Sequence, residues 1–301
     1  MDIKRYIATH DNFLLSFLKF FLYKIKNKYY HVNEIIEKTE VVENGMVKVT
    51  LKEGIVMYGN PSKLPAEIQF TDRIKFGEKS KLTKIIDVDK YYFMYEGLSE
   101  LFAERVHFQY FAPNQGDCVV DCGANVGFFT VQAAKMIGEN GRLIAIEPDA
   151  DNHKLLLKNI EANGLKNVTV VNAGVWSKKD VLTFNVGIHP GEHSFVLHDD
   201  IIHQEGIRKI EIPVDTLDNI LANEGVTKVD FVKMDIEGAE TEAIKGMNGV
   251  LAQEGVKWVV EAGHLVDGEM TFHKVEAYMK ERGYKNLSTD GSFRGAIYAV
   301  K

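Results

Sequence analysis

From residue 116 onward the apolar positions fall into short continuous runs, separated by longer stretches with helical period. Residues 118–122 are apolar except for Asp121, as in a strand buried on both faces. Gly123 and Gly127 lack a Cβ and permit a tight turn with close approach of a ligand. Residues 127–137 then predict a helix, with Phe128, Val131 and Ala134 near one face and Gly138 as its stop. Residues 142–147 form the second expected strand, ending in Glu147. A helix follows with Asp149 and Asp151 at its start, Leu156, Leu157 and Ile160 on its buried face and Gly164 at its close. Residues 167–172 are the third strand. Two further strands, 181–186 and 208–213, flank a polar loop, and Asp215 or Thr216 caps a short helix over 217–222. Core strands at 228–236 and 257–262 come next, then a helix carrying Phe272, Val275 and Met279, and a closing antiparallel pair at 284–287 and 295–300. This alternation predicts an α/β fold whose mostly parallel sheet is covered on both sides.

Residues 1–110 follow a different pattern and read as an N-terminal α+β accessory region, with 111–301 as the main domain. Residues 13–23 are strongly apolar, and Lys24, Lys26 and Lys28 follow. The run is too short to span a membrane, contains Lys19, and lacks a small-residue cleavage site behind it. A membrane-surface helix over residues 11–30 is one reading. Packing on the main domain or on a second subunit is the other, favoured because no clear basic polar face is present. Residues 46–51 and 55–58 flank Lys52, Glu53 and Gly54 as a hairpin. The aromatic cluster at 91–95 fits core, pocket wall or subunit contact.

Composition narrows the class. Of 301 residues, 45% are hydrophobic and 26% charged, as in ordinary globular proteins. A net charge of −7 argues against a general nucleic-acid binder. The two cysteines, Cys118 and Cys122, share one strand at a spacing too long for a disulfide. Reduced core thiols fit a cytoplasmic protein. A homo-oligomer is left open.

The candidate chemistry lies at the carboxyl ends of the expected strands, where open α/β sheets bind ligands. The turn after the first strand has Asp-x-Gly-x-Asn-x-Gly spacing and fails the G-x-G-x-x-G dinucleotide pattern. Glu147 stands where an acid accepts hydrogen bonds from both hydroxyls of a ribose. In the run from Lys233 to Glu240, alternation puts Lys233, Asp235 and Glu237 on one face. Charges there are costly unless paired or at an open strand end.

Four motifs occur in order: Asp121-Cys122-Gly123-Ala124-Asn125-Val126-Gly127; Ile146-Glu147-Pro148; Asp215-Thr216-Leu217-Asp218; and Lys233-Met234-Asp235-Ile236-Glu237-Gly238-Ala239-Glu240. Together they resemble the FkbM family of methyltransferases over residues 113–290. The resemblance implies a Rossmann-like, seven-stranded class I methyltransferase sheet, S-adenosyl-L-methionine as cofactor, and O-methylation of a small molecule or glycan. It also implies cofactor contacts from Asp121, Gly123, Ala124, Asn125, Gly127, Phe128, Glu147 and Pro148, with Asn172 and Ala173 near the adenine. Asp235 and Glu237 would flank the transfer site, Asp235 also touching the cofactor. Candidate general bases are Asp235, Glu237, Glu261 and His264. Two rivals are a nicotinamide-dependent oxidoreductase, which would use Glu147 in the same way, and an inactive binding or scaffold protein of the same fold. The polar loop holds His189, His193, His198 and His203 with Glu192, Asp199 and Asp200. Their spacing fits no standard metal motif, so no metal is expected and the loop reads as a lid.

Overall fold

The computed structural model describes residues 32–61, 84–87, 90–103, 105–187, 193–196, 207–288 and 295–301. The apolar segment at 13–23, the membrane-surface reading of 11–30, and His189, His198, His203, Glu192, Asp199 and Asp200 of the polar loop lie outside these residues. Among the described residues no helix is long and apolar enough to cross a membrane.

The N-terminal part forms a three-stranded antiparallel sheet, β1 (Ile36–Val41), β2 (Val47–Leu51) and β3 (Val56–Gly59). The expected hairpin is β2–β3. Alternation along β2 buries Val47, Val49 and Leu51. The aromatic stretch at 91–95 is core: Tyr91 leads into the helix Tyr92–Gly97, and Tyr91, Tyr92, Met94 and Tyr95 are buried with Val126, Phe128 and Val131 of the main domain. The two regions therefore share one apolar cluster.

The main domain runs β4 (Cys118–Cys122), α1 (Phe128–Ile137), β5 (Arg142–Ile146), α2 (Ala150–Ala162), β6 (Val168–Val171), β7 (Gly174–Val175), β8 (Asp180–Val186), β9 (Arg208–Asp215), α3 (Leu217–Asn223), β10 (Phe231–Met234), β11 (Lys257–Glu261), β12 (Leu265–Val266), β13 (Glu269–Met270), α4 (Thr271–Lys280), β14 (Lys285–Asn286) and β15 (Ala296–Val300). The expected seven-stranded sheet is present, in the order β14-β15-β11-β10-β4-β5-β6. Strands β11, β10, β4, β5 and β6 are parallel, and β15 and β14 close the sheet antiparallel. Strands β7, β9 and β8 form a separate small sheet.

Both faces of the large sheet are covered. Val120, Val232 and Trp258 enter one buried cluster, while their neighbours Val119, Phe231 and Val259 enter the other. This two-sided burial is why the strands read as continuous apolar runs. The helix caps follow the expected chemistry. Asp149 accepts from the N–H groups of Asp151 and Asn152 at the start of α2, and Thr216 accepts from Asn219 N–H at the start of α3. Two asparagines of the α2 end tie the accessory sheet on: Asn159 Oδ1 accepts from Tyr58 N–H at 2.6 Å and Asn163 Oδ1 from Val56 N–H at 3.0 Å. Cys118 and Cys122 are both free thiols.

Candidate active site

The adjacent strands β5, β4, β10 and β11 all end on one side of the sheet, and their last residues build the site. After β4 the chain turns sharply. Gly123 (φ 79°), Asn125 (φ 50°) and Gly127 (φ 95°) are all left-handed. The N–H groups of Gly123 and Ala124 both donate to Ile146 O at 3.0 Å, fastening the turn to the end of β5. A Cβ on Gly123 would stand 1.9 Å from the carbonyl oxygen of Asp235. Glycine here lets the turn rest directly on the backbone that carries Asp235.

An open crevice lies beyond this turn. Of the residues expected at the cofactor, Gly123, Asn125, Glu147, Pro148, Ala173 and Asp235 line it. Asp121, Ala124, Gly127, Phe128 and Asn172 do not. Phe128 is buried in the cluster shared with the accessory region. Asn172 donates to Glu147 O at 2.8 Å and Pro148 O at 3.1 Å, so it braces the loop that carries the acid.

Asp121 is fully buried and belongs to the support of the crevice. Its Oδ2 accepts from Thr130 Oγ1 at 2.6 Å, and its Oδ1 is 3.2 Å from Lys233 Nζ. Lys233 Nζ also donates to Gly123 O at 2.8 Å and lies 3.9 Å from Asp235. Asp121 and then Asp235 raise the lysine's pKa against the opposing effect of burial. One ammonium thus ties together β4, the glycine turn and the end of β10.

Glu147 is buried at the crevice wall. Its carboxylate accepts from Asn125 N–H at 2.7 Å and Asp149 N–H at 2.9 Å. Burial nonetheless pushes its pKa up to about 7. Phe184, His193, Phe195 and Asn152 also line the wall, and the sequence motifs do not place them there. Phe184 is an inward position of the alternating strand β8, a recoverable signal. His193 and Phe195 sit in the polar loop, and His193 Nδ1 lies 3.5 Å from Asp149. Next to them, Ser194 Oγ donates to the carbonyl of Glu237, tying this loop to the far end of the site.

At that end the four expected acid–base residues come together. Asp235 follows β10, Glu261 ends β11, and Glu237 (φ 53°) turns out of the strand direction. His264 Nε2 is 3.2 Å from Glu237, and its Nδ1 is 3.5 Å from the buried Glu240. Burial alone would lower the His264 pKa, but Glu240 and Glu237 outweigh it and raise it to about 12. Burial, followed by the charges of Glu261 and Glu237, pushes Asp235 well above the usual carboxylate range, with Lys233 acting in the other direction.

A fifth residue joins them from the accessory region. His107 is 4% exposed, and its Nε2 is 2.6 Å from Glu261 Oε1. The short helix Val106–Phe108 is locked in place around it. Tyr298 Oη donates to Val106 O, Phe108 stacks on Phe129, and the His107 ring meets Phe129 edge-on at 5.5 Å.

The description "Methyltransferase FkbM domain" matches residues 121–285. The chain belongs to the FkbM methyltransferase family. Among its relatives, methyltransferase sdnD of Sordaria araneosa is 22% identical over 199 residues, covering 55% of this chain and 76% of its own. Among solved structures, methyltransferase FkbM of Methylobacillus flagellatus KT is 20% identical with a TM-score of 0.42, covering 63% of this chain and 45% of that one. Aeropyrum pernix fibrillarin, solved with natively bound S-adenosyl-L-methionine, is 13% identical with a TM-score of 0.43, covering 88% and 99%. Membership of a methyltransferase family sets aside the nicotinamide reading. Its cofactor is S-adenosylmethionine, and Glu147, Phe184 and Val175 line the crevice.

Proposed function

We propose that this FkbM methyltransferase methylates a hydroxyl of a small molecule or glycan. The observation that carries the reading is the place of Asp235. It lines the crevice and also belongs to the group formed with Glu237, Glu261, His107 and His264. On this reading one side of Asp235 meets the cofactor, and the other meets groups able to hold or take a proton.

S-adenosylmethionine, when bound, supplies a methyl group activated on a sulfonium. The chain's own part is to hold both reactants and to accept the hydroxyl proton. Glu147 binds the ribose hydroxyls, and the turn from Gly123 to Asn125 approaches closely because its glycine has no side chain. Alignment of the acceptor provides much of the acceleration. Asp235, Glu237 and Glu261 are the proton acceptors at hand. Burial and the charges of Glu261 and Glu237 raise the Asp235 pKa, so this carboxylate takes up a proton more readily than an ordinary aspartate. Glu240 and Glu237 push the His264 pKa up to about 12, which favours a positive charge beside Glu237 over a role as base.

The test is transfer of a labelled methyl group from S-adenosylmethionine to a panel of hydroxyl-bearing small molecules and glycans. Label on oxygen supports the reading. Label found only on nitrogen or carbon removes the O-directed part. Cofactor binding with no transfer to any acceptor supports the scaffold reading.

A further inference from the structure

Among the described residues, His107, Asp235 and Glu261 each bring one ligand-type atom to within 4.8 Å of the other two. We propose that these three side chains bind a divalent first-row cation, such as Mn²⁺ or Zn²⁺, at the rim of the methyl-transfer crevice. The inference deepens the methyl-transfer reading and rests on it only for the cation's role, because binding itself can be measured alone.

The donor set is one imidazole nitrogen and two carboxylate oxygens. Imidazole suits zinc, iron and nickel, and carboxylate suits manganese and magnesium, so the mixed set admits both Mn²⁺ and Zn²⁺. Two donors at right angles around an ion at about 2.1 Å lie roughly 3 Å apart. His107 Nε2 and Glu261 Oε1, at 2.6 Å, need to separate by only a few tenths of an ångström to take up that spacing.

Charge favours the same occupant. Asp121, Asp235, Glu237, Glu240 and Glu261 gather at this end of the sheet with Lys233, His107 and His264. Carboxylates outnumber cations there even with both rings protonated. Lys233 directs its ammonium at Asp121 and Gly123 O, and is farther from Asp235.

Asp235, Glu237 and His264 form a second grouping of the same size. It is the weaker candidate, because both ring nitrogens of His264 already face carboxylates. His107 presents only Nε2 to the acids, and it sits in an aromatic wall that fixes its ring. The edge-on contact with Phe129 limits the orientations open to Nε2. A cation here would also lower the pKa of a hydroxyl bound to it, which gives the acceptor a second means of activation.

The experiment uses the full chain, stripped with a chelator and titrated with Mn²⁺, free ion being followed by electron paramagnetic resonance. The expected result is one bound ion, with nitrogen coupling from an imidazole in its pulsed spectrum. His107→Gln should abolish that coupling and weaken binding at least tenfold. Glu261→Gln should weaken binding similarly, and His264→Gln should leave the coupling in place. Circular dichroism checks that each variant is folded, and the two substitutions at different ligands guard against one failing. Absence of stoichiometric binding by the wild type overturns the proposal, as does bound Mn²⁺ whose nitrogen coupling survives His107→Gln. Calorimetry with S-adenosylmethionine in the presence of chelator separates the two ideas: cofactor binding without metal binding removes this inference alone, and metal binding without cofactor binding removes the methyl-transfer reading.

Discussion

His107 and Glu261 are 154 positions apart, yet their Nε2 and Oε1 atoms lie 2.6 Å apart beside Asp235. The contact joins the accessory region to the end of β11. Residues before 110 therefore contribute a side chain to the group around Asp235, in addition to packing against the rest of the chain.

That contact depends on how the turn around Val106 is held. Tyr298→Phe removes the hydroxyl that donates to Val106 O. The loss of one such bond is worth about 0.5–1.5 kcal/mol. If the energy appears in placement of His107, methyl transfer should slow by roughly twofold to tenfold. Affinity for S-adenosylmethionine should not change. Steady-state kinetics and calorimetry on the same variant check both parts, and a change in cofactor affinity alone would contradict the assignment.

Lys233→Met leaves Asp121 buried without its cation. Breaking a buried pair from one side costs roughly 3–5 kcal/mol. Urea denaturation should show a loss of that order. Lys233→Met combined with Asp121→Leu should recover part of it, since no buried charge is then left alone. Equal destabilisation by the single and double variants would mean the pair is not what holds the turn.

Glu147 gives a pH dependence with a defined sign. Its folded pKa of about 7 lies above the ordinary glutamate value, so its contribution to stability is present in acid and is lost as pH rises toward 7. Cofactor binding should run the other way. With Glu147 as the proposed ribose ligand, the hydroxyls would donate to its ionised carboxylate, so affinity should increase between about pH 6 and 8, around that folded pKa. Glu147→Gln should flatten that profile and weaken binding by roughly tenfold to a hundredfold, as expected for lost hydrogen bonds to a charge. A profile of the same slope in the variant would show that another group titrates.

Much of this architecture is legible in the chain. Strand β4, its glycine turn and α1 are marked by an apolar run, two glycines and a change of period, all local signals. Glu147 and Asp235 are legible because they end apolar strands, where a charge needs a reason. His107 is not, since nothing near it in sequence indicates that Tyr298 and Phe129 will hold it against Glu261. The 91–95 cluster is ambiguous in sequence for a related reason: the apolar partners that bury it, Val126, Phe128 and Val131, lie in the next region. Asp121 shows a third limit. Its position in the motif suggests a ligand contact, whereas its burial directs it to Thr130 and Lys233.

Gly123 should be the least replaceable residue of the turn. Its φ is 79°, and a Cβ added there would come within 1.9 Å of the Asp235 carbonyl oxygen, which leaves no room for alanine. Gly123→Ala should displace the Asp235 backbone and abolish measurable cofactor binding, while Gly164→Ala, at a left-handed position with open space around it, should cost only stability. Calorimetry on both variants distinguishes the two effects.

The most direct test of the account is titration of the wild-type protein with S-adenosylmethionine, S-adenosylhomocysteine and NAD in separate calorimetric runs. The expected result is saturable binding of the first two at one site per chain, lost in Glu147→Ala, and no heat with NAD. Binding of NAD alone, or binding of S-adenosylmethionine that is unaffected by Glu147→Ala, would contradict it.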